Sequence, residues 1–297
     1  MEPVKNWSVA GLDSASNAWC AVVARGAADD GLVGSYPIDT GTAEIEKDSY
    51  GANRYVLKVN GVPSSHIDLD DPEFLDFEYM KWMEPLILAA FEPACFDGRA
   101  RKLRALHLGG GGCSMPRWAA ARYENARQVV VELDGRLAEL VRTHFEVPRA
   151  PLVRIRVADA GQVLPTLADN SRDVVIRDVF AGSSTPRELT TVFYAAEAAR
   201  VLDQGGLYLV NCGDTRDLKT ARAEAATLRE VFSEVVLVAD APMLKGRRYG
   251  NIVMAAGNGG VPSGADVQRA LRSAPLPAQL LAGGEVDRFI AGATPIS

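Results

Sequence analysis

The sequence predicts an α/β fold: a mostly parallel sheet covered by helices on both faces, closed by an antiparallel last strand and preceded by a small antiparallel β domain. Three observations predict it. From about Lys102 onward, apolar β-type runs alternate with helical segments, and a parallel crossover requires such a helix. Between residues 31 and 71 the apolar runs are short, alternate with polar residues and are bounded by turn residues. Near the end, two apolar runs are separated only by a loop, which suits antiparallel neighbours better than parallel ones.

Residues 1–30 read as an extension, and "MEPVKNWSVAGLDSASNAWCAVVARG" lacks the ordered regions of a signal peptide. Residues 31–98 read as a small β-rich domain with a linking helix. Its strands are "TAEIEKDSY", "RYVLKVNG" and "VPSSHIDLD", with Asn60-Gly61 as a hairpin turn. The helix is "DPEFLDFEYMKWMEPLILAAF", predicted to open with Asp71 as N-cap and Pro72 in the first turn. Residues 99–257 carry the alternation: strands "LRALHL", "QVVVEL", "LVRIRV", "DVVIRD" and "GLYLVN", with helices "PRWAAARYE", "GRLAELVRTHF", "GQVLPTLA", "RELTTVFYAAEAARVL" and "TRDLKTARAEAATLREVF". "EVVLVA" and "NIVMAA" then form the antiparallel end, joined through "PMLKGRRYG". Residues 258–297 read as a Gly/Pro linker and a small packed tail.

Composition narrows the function. The chain of 297 residues carries a formal charge of −6 with scattered Lys and Arg, which is no footprint for nucleic acid. No apolar run approaches the roughly 18–20 residues that span a bilayer, so no membrane partner is expected and a cytosolic protein is. Four cysteines, Cys20, Cys95, Cys113 and Cys212, stand far apart without a C-x-x-C pair, so neither a structural metal nor a disulfide scaffold is expected. These features point to a small-molecule partner.

The chemistry concentrates around "LGGGGCS". A glycine-rich turn between a strand and a helix lets backbone approach a ligand and aims helix N–H groups at it; the plain alternative is a tight strand-helix turn. Glu132 ends the next strand about twenty residues on, where a carboxylate can accept both ribose hydroxyls. Asp159 ends the third strand, within reach of an adenine amino group, and Asp178 ends the fourth. Each acid has a plain alternative as a helix cap. As a series they fall at the carboxyl ends of successive strands, where open parallel sheets bind ligands. The third-strand acid and the antiparallel last strand favour the Rossmann-like methyltransferase sheet of S-adenosylmethionine enzymes over a nicotinamide fold.

In this order, "LKVNG", "EFLDFEYMKWMEPL", "LGGGGCS", "VVVELD", "VADA" and "DVVIRDVF" resemble the spermidine synthase group, from about Gly41 to Gly257. The resemblance implies a polyamine aminopropyltransferase-like scaffold, commonly dimeric. It implies Glu132 on the ribose, Asp159 and Ala160 on the adenine, and Gly109, Gly110 and Gly111 beneath the nucleoside and amino-acid moiety. Three departures stand out. The family reads an acid where this chain has Gly112; that acid attracts the ammonium of decarboxylated S-adenosylmethionine and repels the carboxylate of the intact form, and such juxtaposition costs several kcal/mol. The family reads D-x-x-D where Asp178 is followed by Ala181, and its second acid takes the proton from the attacking amine. It reads Tyr-x-Glu where this chain has Phe77-Glu78-Tyr79, leaving Glu78 and Tyr79 to face the pocket, or to be a surface acid beside a packed ring.

The remaining candidates carry two readings each. Cys113 opens a helix, which favours a thiolate, but lacks an adjacent histidine and reads better as a small loop residue. His107 reads as a hydrogen-bonded core histidine. Asp214 lines the acceptor side or caps the next helix. "FAGSSTPRELTT" offers Ser183, Ser184 and Thr185 as lid contacts or as a cap for a helix near Pro186. The arginines of "KGRRYG" meet an acidic substrate or form a solvated turn. The leading expectation is methyl transfer from S-adenosylmethionine to a small acceptor. The alternatives are aminopropyl transfer to an amine, with Asp178, Glu78 or Asp214 receiving the proton, and a nucleoside-binding member without catalysis.

Overall fold

The computed structural model describes residues 31–91, 102–182 and 184–297; the extension at 1–30, Cys20, Cys95 and Ser183 lie outside them. Four strands, β1 (Gly34–Ile38), β2 (Gly41–Lys47), β3 (Arg54–Val59) and β4 (Val62–Asp68), form an antiparallel sheet in sequential order. Asn60 and Gly61 turn β3 into β4 with φ of 52° and 77°, the pair of positive angles that a two-residue hairpin demands. Alternation sends Ala43, Ile45, Tyr55 and Leu57 inward.

The sheet does not close a core by itself. Its buried face packs against Leu137 and Val141 of the later helix α3 (Gly135–His144), against Phe145 just after that helix, and against Val130 and Val153 of the main sheet. Ile45, Leu57, Ile67 and Phe145 are each at most 1% exposed, contributing roughly 1.5–3 kcal/mol apiece.

The linking helix α1 runs Glu78–Ala90, so the predicted start at Asp71 and Pro72 is corrected by several residues. Local side-chain bonds compete with the helix there. Asp68 Oδ1 accepts from the N–H groups of Asp70 and Asp71, and Asp71 Oδ1 accepts from Glu73 N, turning the chain before Leu75 enters the core.

The main sheet then follows in chain order: β5 (Arg104–Leu108), α2 (Ser114–Arg122), β6 (Arg127–Glu132), α3, β7 (Val153–Val157), α4 (Ala160–Val163), β8 (Arg172–Arg177), α5 (Val192–Val201), β9 (Leu202–Asp214), α6 (Lys219–Val231), β10 (Glu234–Ala239), α7 (Ala241–Leu244), β11 (Gly250–Gly257), α8 (Ala265–Ser273), β12 (Gln279–Ala282) and α9 (Gly284–Ile290). Strands lie in the order β7-β6-β5-β8-β9-β11-β10-β12. β5 to β9 are parallel, and the order reverses between β5 and β8, so the crevice of the fold opens at those two tips.

β10 and β11 pair antiparallel as expected, but β11 inserts between β9 and β10 rather than closing the sheet. The antiparallel edge is β12, drawn from the tail. The helix expected over "GQVLPTLA" is one short turn followed by a 3-10 turn at Leu164–Thr166. The helix expected over "RELTTVFYAAEAARVL" is a 3-10 turn at Arg187–Thr190 and then α5, whose N-cap is Thr191, not Ser184 or Thr185. Between β8 and α6 the main core holds a buried ion pair, Arg177 Nη2 to Glu224 Oε2 at 2.6 Å.

Candidate functional site

The glycine loop joins β5 to α2 at the reversal point, and its glycines answer first to the protein. A Cβ on Gly109, where φ is +93°, would stand 2.1 Å from the Asp178 carbonyl oxygen. One on Gly112 would stand 2.7 Å from the Ser65 Cβ of β4, and the Gly112 N–H donates to Ser65 Oγ at 2.7 Å. The loop is therefore squeezed between the tip of β8 and the small sheet. Ser114 Oγ donates to the His66 carbonyl and Arg117 Nη2 to that of Asp68, fixing α2 against β4.

Glu132 lies under this loop. Its Oε2 accepts from Gly110 N at 3.0 Å and Gly111 N at 3.3 Å, and its Oε1 from Asp134 N at 3.0 Å. Burial raises its pKa against those three donors. A carboxylate offers about four acceptor positions, so the group fits a ribose hydroxyl in addition to its loop contacts. Asp159 caps α4, with Gly161 N at 2.6 Å and Gln162 N at 3.3 Å both on Oδ1; the cap makes no use of Oδ2. Beside them, Leu133 and Val157 are 62% and 56% exposed at the tips of β6 and β7, apolar surface suited to a purine face. Ala160 is buried behind Asp159.

Sequence reasoning missed Leu133, Val157 and Asp134. Asp134 caps α3 through Leu137 N and also accepts from Thr40 N and Thr40 Oγ1 at 2.7 Å, tying the β1–β2 turn to the cradle. The N-cap pattern of "ELDGRLAEL" signals the first role; the second pairs residues 94 apart.

Across the reversal point, Asp178 follows β8. Tyr79 Oη donates to its Oδ2 at 2.6 Å, and Asn211 Nδ2, from β9, donates to its Oδ1 at 2.9 Å. Burial raises the Asp178 pKa, and the two donors offset part of that rise. Burial and the adjacent carboxylate push the Tyr79 phenol well above its usual range. Asn211 was not foreseen; only its place in "LVNCGD" at a strand end marked it. Asp214 caps α6, accepting from Ala221 N at 2.7 Å.

Glu78 points elsewhere than Tyr79: its Oε1 accepts from Arg248 Nη2 at 3.1 Å, and the same guanidinium binds Asp240. Arg248 is thus neither a solvated turn residue nor free for an acidic substrate. His107 Nε2 donates to Gln128 Oε1 at 2.9 Å and is held neutral by burial, its pKa near 4, as a core histidine. Burial also pushes the Cys113 thiol up to about 12, the reverse of the helix-opening expectation, so it is a packed loop residue. The segment after Asp178 is a tight turn, Ala181 N donating to the Ser184 carbonyl, with Phe180 against Gly213.

With the geometry in view, known proteins can be set beside it. A family profile described as a methyltransferase domain matches residues 106–210. A structure described as a "probable spermidine synthase" from Corynebacterium glutamicum superposes with a TM-score of 0.82 at 44% identity, over 89% of this chain and 95% of that one. The chain belongs to the spermidine synthase-like family of transferases. The Thermotoga maritima spermidine synthase, at 15% identity and a TM-score of 0.55 over 81% of this chain and 77% of that one, shares the fold. A polyamine aminopropyltransferase from Vibrio vulnificus is 24% identical over 164 residues, and the match spans about half of each protein, 54% of this chain and 54% of that one. Within this spermidine synthase-like scaffold the acid expected in the loop is excluded by Ser65, and the acid expected after Asp178 is absent at Ala181.

Proposed function

We propose that the protein transfers an aminopropyl group from decarboxylated S-adenosylmethionine to a small amine. One observation carries the reading: the buried Asp178 carboxylate is gripped by Tyr79 and Asn211 beside the glycine loop. An acceptor amine reaches the site as an ammonium, which has no lone pair to attack with. Asp178, with its affinity for a proton raised by burial, takes that proton, and Tyr79 and Asn211 keep its two oxygens aimed. This offsets the missing second acid at Ala181. The bound sulfonium supplies the electrophile: the C–N bond forms at its propyl carbon as the C–S bond breaks, and a neutral methylthio nucleoside leaves. Glu132 and Asp159 hold the ribose and adenine, Ala160 backs the adenine, and Gly109, Gly110 and Gly111 form the floor. The names of the similar proteins support aminopropyl transfer ahead of methyl transfer.

One observation favours methyl transfer as a second reading. Position 112 carries no carboxylate and has no room for one, so nothing in the loop repels the carboxylate of intact S-adenosylmethionine. Incubation of the protein with each cofactor form and a panel of mono- and diamines, followed by mass spectrometry, separates the two. A gain of one aminopropyl unit from the decarboxylated form is expected. A methylated product from the intact form alone reverses the ranking, and no transfer to any amine overturns the aminopropyl reading. A homodimer, as the family resemblance implies, is tested by light scattering of the purified protein.

A further inference from the structure

Arg177 has no part in the steps above, yet it ends the strand that presents Asp178. Its register partners are Leu108, which leads into Gly109, and Val210, which leads into Asn211, so it stands in the last row of the sheet before the site. Its side chain is a cation at the end of an apolar stretch of β8 and is only 2% exposed. Successive side chains along a strand face opposite sides of the sheet. Asp178 meets Tyr79 and Asn211 on one side, and Arg177 meets Leu189 and Glu224 of α6 on the other. The cavity that Arg177 lines with Thr190, Tyr208, Glu224 and Thr227 measures about 10 Å³, room for at most one water, so the guanidinium touches no substrate.

The two arms of the guanidinium hold different things. Nη2 donates to Glu224 Oε2 at 2.6 Å and pairs the charges, whereas Nη1 donates to the Leu189 carbonyl at 2.7 Å. Leu189 lies in the 3-10 turn Arg187–Thr190 before α5. The chain that leaves β8 through Asp178 therefore comes back, 12 residues on from Arg177, to the same side chain. Stability alone does not account for this arrangement, because apolar residues of similar volume often replace a buried ion pair without loss. What the arrangement requires is a fork that serves two acceptors on separate elements, one of them a neutral carbonyl, and arginine is the side chain that supplies it.

We propose that Arg177 is a positioning residue: by holding Leu189 to the end of β8 it closes the segment that begins at Asp178 and keeps that carboxylate between Tyr79 and Asn211. This inference rests on the aminopropyl-transfer reading, in which Asp178 takes the proton, and assigns the side chain that holds the proton acceptor in place. Glu224 is the counter-charge that lets the guanidinium be buried, and the hold on Leu189 is the part that reaches the site.

Two variants separate the arms. Glu224→Gln keeps an acceptor for Nη2 and the bond to Leu189 but leaves the arginine without its counter-charge; Arg177→Met/Glu224→Leu removes both charges together and with them the hold on Leu189. Beside the melting temperature, the test follows the rate of tryptic cleavage of the native protein after Arg187, which is exposed in the 3-10 turn, and kcat per site, the sites being counted by calorimetry with methylthioadenosine. The double variant is expected to keep the wild-type melting temperature and nucleoside affinity while cleavage after Arg187 rises and kcat per site falls, each by about tenfold, the weight of one hydrogen bond to a charged group. Glu224→Gln is expected to do the opposite, melting lower with cleavage and kcat within about a factor of two of wild type, since it strands a buried charge but leaves the hold intact. A purely structural pair would make cleavage and kcat follow the melting temperature in every variant; that result, or a double variant with wild-type cleavage and kcat, overturns the inference. If the double variant does not fold, Arg177→Lys decides, because an ammonium keeps the charge opposite Glu224 without the forked reach, and a wild-type cleavage rate there overturns the inference. If the wild type transfers to no amine, the functional reading fails. Cleavage after Arg187 then decides the hold on Leu189 by itself, with equal rates in wild type and double variant overturning it.

Discussion

Around β5, β6 and β7 the candidate nucleoside cradle centres on backbone amides, with Glu132 accepting from Gly110, 22 residues before it, and from Asp134, two after it, and with Ser65 and Thr40 of the small sheet bracing it. Around β8, β9 and β10 the candidate acceptor side is held by side chains brought from far away: Tyr79 stands 99 residues from Asp178, and Glu78 stands 170 from Arg248. The difference teaches that one cleft combines two kinds of construction. Backbone amides are supplied by every residue but proline, whatever its side chain. The acceptor side depends on particular side chains, so it can be retuned one residue at a time without disturbing the cradle.

The largest effect expected from this division is at Asp178. Asp178→Asn keeps the shape but removes the proposed proton acceptor and sets an NH2 against one of the two donors, Tyr79 or Asn211; a positioned base is worth about 10²- to 10⁴-fold in rate. Steady-state kinetics should show kcat falling by that range with nucleoside affinity unchanged by calorimetry. A fall in nucleoside affinity instead would mean that the two halves are not separable. Next is Glu132→Gln, which should weaken binding of the nucleoside product roughly tenfold to a hundredfold, as expected for hydrogen bonds to a charged group. An unchanged affinity would detach the ribose from Glu132 and with it the cradle from β6.

What was legible in the sequence follows the same division. The period of the apolar runs announced the strands and helices, and the acids at 132, 159 and 178 marked the crevice because strand ends are visible in the pattern. Illegible were contacts across the fold: Asn211 on Asp178, Asp134 on Thr40, Arg248 on Glu78. The glycines misled in part. Their number suggested a ligand against the backbone, whereas Gly109 and Gly112 are required by Asp178 and Ser65 of the protein itself. Nothing local distinguishes crowding by a ligand from crowding by a distant strand. The position of β11 was likewise hidden, since the hairpin with β10 is compatible with either strand lying beside β9.

A smaller effect tests that account of Gly112. Gly112→Ala brings a methyl group to 2.7 Å from Ser65 Cβ, and overpacking of this kind costs about 1–3 kcal/mol. Thermal unfolding should register the loss, and Ser65→Gly in the same protein, which relieves the crowding but also removes the acceptor of the residue-112 N–H, should recover only part of it. A stable Gly112→Ala protein that loses only cofactor binding would return the glycine to the ligand.

The smallest effect concerns the pH profile, and it reads the acceptor side without removing the base. In the proposed mechanism Asp178 works as a carboxylate, so kcat/KM should rise with pH through its pKa, which burial has raised. Tyr79 and Asn211 donate to the charged form and pull that pKa back down. Tyr79→Phe deletes one donor while keeping the packed ring. The acid limb of kcat/KM should therefore move to higher pH, by about one unit if the bond is worth about 1.4 kcal/mol. At a pH well above the limb the variant should approach the wild-type rate, because the deprotonated carboxylate is then present in both. A limb that stays in place with a uniformly lower rate would assign Tyr79 to the substrate and not to Asp178.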